Sequence, residues 1–339
     1  MGVELWCMTV SLPGTAARAA ARAEELGWDG LTFTDSQHLA GDPYSALCLA
    51  AAATRTLGLG TGVTHPGTRH PAVTASAIAT VQVESGGRAV LGIGRGDSAL
   101  AYLGRRPVPV AAFEDYLARV QAYLRGEEVE ENDFRAGLRW LGDQPKVPVD
   151  VAATGPRVIS VAARLAERVT FAVGASVERL AASIELARRS RQRAGLDPDG
   201  LDFGAYLNVV PHPDRSVARE LARGGVATFA HFSSMLGPRT RDLPRVQRAA
   251  IEQVGRDYDL AKHGDRSGQH ARNLGDAFID DFGVVGPSEE CAMRLRELAA
   301  LGLRRIVVNG GSRGADPSLL LEASQRFAEE VMPLVREGA

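Results

Sequence analysis

The chain has 339 residues, a formal net charge of −2, 45% hydrophobic and 24% charged residues. That balance belongs to a globular protein with a substantial core; it excludes a disordered chain and argues against a dedicated nucleic-acid binder. No apolar run approaches the ~18 residues of a membrane-crossing helix, and Met1 to Val10 carry no basic leader, so we expect a cytoplasmic protein without nucleic-acid or membrane partners.

In chain order, Glu4–Val10 reads as a strand and Thr15–Leu26 as a helix closed by Gly27. Gly30–Thr34 is predicted as a second strand and Pro43–Thr54 as a second helix, with Pro43 in its first turn. Leu57–Thr64 and Arg88–Ile93 read as strands three and four, followed by helices over Ala72–Val83 and Phe113–Leu124. Residues 126–145 break the rhythm and read as an insertion of loop or short strands. The alternation resumes with strands at Val147–Ala152, Val169–Val173 and Phe203–Val210, and helices at Arg157–Ala166 and Val177–Ala194. Residues 214–302 read as mostly helical, broken at Gly224-Gly225, Gly237-Pro238, His263-Gly264 and Gly286-Pro287. Arg304–Val308 is the eighth strand and Leu319–Glu330 the last helix.

Strands alternating with helices imply parallel βαβ units, and strands apolar on both faces imply burial on both. Eight units are the count of an α/β (β/α)8 TIM barrel; an open doubly wound sheet is the alternative. No linker splits the chain, so we expect one domain, 1–339, with insertions at about 126–145 and 214–280.

Active sites of such barrels form at the C-terminal strand ends. There the sequence places Asp35 and His38, then Gly62, Val63 and Thr64, then Gly94, Arg95, Gly96 and Asp97, then Thr154, Gly155 and Pro156. Gly92-x-Gly94-x-Gly96 follows a strand, but Asp97 occupies the third glycine's place, so the dinucleotide spacing fails. A phosphate-binding turn and a plain tight turn both remain open for it, whereas Thr154-Gly155-Pro156 by itself reads first as a simple cap, with a phosphate-binding helix start as the alternative. His38, His65 and His70 lack metal-ligand spacing, and the three cysteines, Cys7, Cys48 and Cys291, lie far apart, so no metal is expected. There is no P-loop motif and no GxSxG elbow. Of 39 basic residues only Lys146 and Lys262 are lysines, and neither follows a strand, which weakens a Schiff-base barrel. Phe229, His231, Phe232 and Met235 read as pocket lining or as helix core.

Leu57 to Gly96 carries two long runs, GVTHPGTRHPAVTA and SGGRAVLGIGRG. They resemble the luciferase-like flavin/deazaflavin-dependent oxidoreductase superfamily, and within it the methylenetetrahydromethanopterin reductase group, which uses coenzyme F420. Asp35, the ATGPR start of the fifth helix, VGP at Val285–Pro287 and GLRRIVV extend the likeness. The resemblance implies a barrel with the deazaflavin ring at the strand ends, supported by a non-prolyl cis peptide matching Gly62-Val63. Asp35 matches an acidic position near the ring. Asp97 matches the acid after strand four, a proton donor or substrate anchor, whose alternative is a cap for the turn before Ser98. Thr154, Gly155 and Pro156 match the phosphate-side loop. Related sugar-phosphate dehydrogenases carry His directly after the strand-two Asp; this chain has Ser36, with His38 two residues on. Arg95 is similar to an arginine that serves FMN phosphate in bacterial luciferase. The expected activity is hydride transfer between F420 and a small organic substrate. The alternatives are an FMN-dependent monooxygenase and a non-catalytic flavin-binding protein. A homodimer is expected through the second and third helices, where Ala50–Ala53 and Ala72, Ala75, Ala77 and Ala79 leave small apolar faces.

Overall fold

A computed structural model describes residues 2–236, 240, 243 and 245–337. Its strands are β1 (Glu4–Val10), β2 (Gly30–Thr34), β3 (Gly58–Thr61), β4 (Ala89–Ile93), β5 (Val129–Glu131), β6 (Phe134–Ala136), β7 (Val149–Ala153), β8 (Arg168–Phe171), β9 (Asp202–Pro211), β10 (Val284–Gly286) and β11 (Leu303–Asn309). Parallel pairing runs β1-β2-β3-β4-β7-β8-β9-β11 and returns from β11 to β1, closing an eight-stranded barrel among the described residues. This is the (β/α)8 TIM barrel expected from the alternation of strands and helices.

Side chains alternate along the strands. Leu5, Leu91 and Ile306 point outward to the helices, while Trp6, Val90 and Val307 join the apolar packing inside. The inward Trp6 fits because Gly30 lacks a side chain; a Cβ there would lie 2.3 Å from the indole. Arg305 stacks over Trp6 at 3.7 Å, bonds Glu4 at 2.7 Å and lies 3.7 Å from Asp150. This ionic plug fills the N-terminal end of the barrel, and a large cavity opens at the opposite end, where the strands finish.

The insertion at 126–145 holds the antiparallel hairpin β5-β6. Two sequence expectations are corrected. Gly224 and Gly225 do not break a helix: Arg215–Ser234 is continuous through them. The stretch before Gly286-Pro287 is a strand, β10, which pairs with the far end of the long β9. The expected break at Gly237-Pro238 lies outside the described residues. The last helix is longer than expected, running from Pro317–Arg326 through a wide turn at Phe327–Val331 into Met332–Glu337. Among the described residues no helix is long and apolar enough to cross a membrane.

Candidate active site

A cavity of about 1120 Å³ opens at the C-terminal ends of the barrel strands. It receives Asp35 and His38 from after β2, Gly62 and Val63 from after β3, Gly94 to Asp97 from after β4, and Thr154 to Pro156 from after β7. Thr64 and His231, both expected there, do not line it; His231 lies behind Asp97, and Thr64 lies deeper. Its side chain is fully buried one layer below, where the hydroxyl donates to Asp35 Oδ2 at 2.7 Å. The Gly62-Val63 peptide is cis, as the resemblance implied.

Asp35 is 3% exposed, and its carboxylate is fully engaged. Besides Thr64, Arg69 Nη1 donates to Oδ2 at 2.5 Å and Gln37 Nε2 to Oδ1 at 3.0 Å. Arg69 also bonds Asp42, the N-cap of the helix Pro43–Ala53, and lies over the Tyr44 ring at 4.9 Å. Burial lowers the proton affinity of the Arg69 guanidinium, but Asp35, Tyr44 and Asp42 together raise it above the ordinary value. His38 stands exposed on the rim, stacked on Tyr102 at 5.9 Å.

His65, also on the cavity wall, accepts the Gly67 N–H on Nδ1 at 3.3 Å, so its proton sits on Nε2, which is buried without a partner. Burial holds this imidazole below its ordinary range, partly opposed by Asp35.

The β7 end is basic. Gly155 caps the helix Pro156–Leu165 without any side-chain bond, leaving backbone N–H groups of the first turn open beside Arg157. Arg95 lies nearby; burial, then the like charge of Arg157, lowers its proton affinity. Its Nε donates to the Val108 carbonyl at 2.6 Å, and neither arginine has a carboxylate within 4.0 Å among the described residues.

Asp97 occupies the N-cap position of the helix Ser98–Ala101, but its side chain makes no capping hydrogen bond. It turns toward His231, with Oδ2 3.3 Å from Nε2. The opposite wall comes from Tyr206 on β9 and from Gly225, Thr228, Phe229 and Phe232 on the helix Arg215–Ser234. Gly225 is where that helix touches the barrel: a Cβ would lie 2.3 Å from Asn208 Oδ1, whose amide is bonded to Asn309 at 2.8 Å. Met235, 48% exposed, sits at the mouth, and Phe229, 4% exposed, deeper in the wall. Sequence reasoning did not nominate Arg69, Arg157, Tyr206, His263 or Arg313. The run RHP had pointed at Arg69, and a basic residue one place into a helix start was the available signal for Arg157.

The sequence profile of the luciferase-like monooxygenases matches residues 8–305. The chain belongs to this family. A 5,10-methylenetetrahydromethanopterin reductase of Archaeoglobus fulgidus is 30% identical over 323 residues, 93% of either chain. A phthiodiolone/phenolphthiodiolone dimycocerosates ketoreductase of Mycobacterium tuberculosis is 31% identical over 343 residues, covering 94% of this chain and 86% of that one. The coenzyme F420-dependent tetrahydromethanopterin reductase of Methanopyrus kandleri superposes with a TM-score of 0.77 at 23% identity, over 98% of this luciferase-like chain and 99% of that one, a likeness of fold.

Proposed function

We propose that this protein is an oxidoreductase that passes a hydride between coenzyme F420 and a small organic substrate. The observation that carries the reading is one cavity with three different ends: a basic turn at Arg95, Gly155 and Arg157, the backbone ledge at Gly62 and Val63, and the carboxylate of Asp97. The residues fit the cofactor. Phosphate suits the bare helix start and the two unpaired arginines. A flat ring suits the apolar floor of Met8, Val63 and Ala152, and the orphaned His65 Nε2 and Asp97 Oδ2 await polar partners. When bound, F420 supplies hydride transfer at its C5.

This chain's residues do the rest. Gly94, Arg95, Gly96, Thr154, Gly155 and Pro156 hold the phosphate side; Gly62, Val63 and Asp35 set the ring's bed. Asp97 exchanges a proton with the substrate, while Phe229 and Phe232 exclude water. His38, exposed on the rim, gates or orients substrate. Two relatives named reductases, matched over almost the whole chain, favour substrate reduction. Arg95 favours a second reading, an FMN-dependent monooxygenase of the bacterial luciferase type, since a guanidinium serves either phosphate. A flavin carrier without turnover would have no use for an acid held at the cavity wall. The protein acts as one domain in the cytoplasm, and as a homodimer.

The test is turnover of carbonyl and imine substrates with reduced F420 under argon. Oxygen-independent oxidation of the cofactor supports the reading. A requirement for both oxygen and reduced FMN overturns it. Asp97→Asn should cut that turnover at least tenfold with cofactor affinity within about threefold, the typical scale of a lost general acid.

A further inference from the structure

Behind Asp97 lies an aromatic cluster that the proposed reaction does not yet use. His231 occupies the last turn of the helix Arg215–Ser234. Its ring lies flat on Tyr258, with centroids 3.6 Å apart and planes 10° from parallel. Tyr258 is itself fixed, its hydroxyl 2.5 Å from His263 Nδ1 and its ring 4.5 Å from that of His270. These contacts leave His231 one direction for its Nε2, toward Asp97 Oδ2 at 3.3 Å. Asp97 Oδ2 and His231 Nδ1 are each buried without a hydrogen-bond partner, so the 3.3 Å approach of Nε2 to Oδ2 is the polar contact the two groups share.

We propose that His231 is the proton partner of Asp97, a positioning residue that aims the carboxyl group into the cavity and restores its proton after each turnover. The inference rests on the oxidoreductase reading above. In the reducing direction, the hydride and its electron pair come from the reduced deazaflavin. The Asp97 O–H bond breaks as a bond from that proton to the substrate heteroatom forms. The carboxylate then takes the Nε2 proton of the His231 imidazolium, leaving a neutral ring protonated on Nδ1. The ring, 19% exposed, regains its proton from solvent. In the oxidising direction each transfer reverses.

Other titratable groups face the pair. Arg95 acts on Asp97 from its own loop. Tyr258 and His263 face Asp97 across the cavity wall, and His263 and His270 face His231. Burial holds His263 down to about 4, so near neutrality it accepts a hydrogen bond and adds no charge. His231 is therefore the proton carrier of the group that touches Asp97.

Two measurements test this. In the cofactor-free protein, nitrogen-15 NMR of the histidine rings should show a His231 Nε2–H that exchanges slowly in the wild type and is lost in Asp97→Asn. No such protected proton in the wild type overturns the proposal, whatever cofactor the protein uses. In the F420 reaction, His231→Gln keeps a hydrogen-bond donor but carries no proton. Its kcat should fall at least tenfold with KM within about twofold, its pH profile should lose one limb, and added imidazole should restore turnover. A His231→Gln enzyme with wild-type kcat and pH profile overturns the relay. If the wild type does not turn over F420 at all, the oxidoreductase reading fails and the NMR result alone decides the pairing.

Discussion

Arg69 holds Asp35 at 2.5 Å in a pair whose carboxylate is almost wholly buried, and the same guanidinium reaches Asp42 at 2.7 Å. One arginine from the loop after β3 thus ties the end of β2 to the start of the helix Pro43–Ala53. This tie fixes the Asp35 carboxylate in the wall of the cavity.

Removing Arg69 leaves a buried charge without a counter-ion, which typically costs about 3–5 kcal/mol. Arg69→Met should therefore lower the melting temperature sharply. Arg69→Met combined with Asp35→Asn should recover much of the loss, because the second change removes the stranded charge. Thermal unfolding of the three proteins checks this; equal loss in single and double variants would refute the pairing.

Gly225 sits within a helix, where alanine normally gains about 1 kcal/mol. Here the added Cβ would lie 2.3 Å from Asn208 Oδ1, and overpacking of that kind costs roughly 1–3 kcal/mol. We expect Gly225→Ala to be destabilising on balance and to narrow the cavity. Urea unfolding gives the sign: a stabilised variant would mean that the helix shifts freely off the barrel.

His263 is held by burial down to about 4, below its ordinary 6.5, with Asp97 pulling weakly the other way. The unfolded chain takes up this proton first, so its share of stability is present above pH ~6.5 and is lost as pH falls toward ~4. The loss is at most about 3.4 kcal/mol, the shift from 6.5 to about 4 taken at about 1.36 kcal/mol per unit. His263→Gln, which can still accept from the Tyr258 hydroxyl, should flatten this limb of a plot of melting temperature against pH. An unchanged limb would locate the acid sensitivity elsewhere.

The helices Pro43–Ala53 and Pro71–Glu84 bury Ala50, Ala51, Ala75 and Ala79 against the barrel and expose Leu49 at 55%, Val73 at 55% and Val83 at 49%. We propose that these exposed side chains form the face through which two copies pair. Light scattering should give about twice the chain mass of 36.0 kDa, and Leu49→Glu with Val73→Glu should halve it. A wild-type monomer would contradict the interface.

The barrel was legible because its signals are local. Gly30–Thr34 is a short β-rich apolar run between a helix C-cap and a proline-started helix, and period and punctuation agree there. The strand-end rule then located the cavity. Three features were hidden for one reason: each depends on residues far apart in sequence. Gly224-Gly225 looks like a break because glycine disfavours helices, while its purpose is to let the helix approach Asn208 and the loop at Gly264. The strand β10 is three residues long and gains its place only beside β9. Asp97 reads equally as a cap or an acid until His231, from a helix over a hundred residues later, is seen against it.

We propose that the cavity takes F420 with its phosphate at Arg95, Gly155 and Arg157. Equilibrium fluorescence titration of the cofactor-free protein with F420 and, separately, with FMN tests it most directly. We predict that F420 binds at least tenfold more tightly than FMN, and that Arg95→Ala with Arg157→Ala weakens F420 by about tenfold or more, the scale of a lost charge-assisted contact. Tighter binding of FMN, or an F420 affinity untouched by the double substitution, would contradict the account.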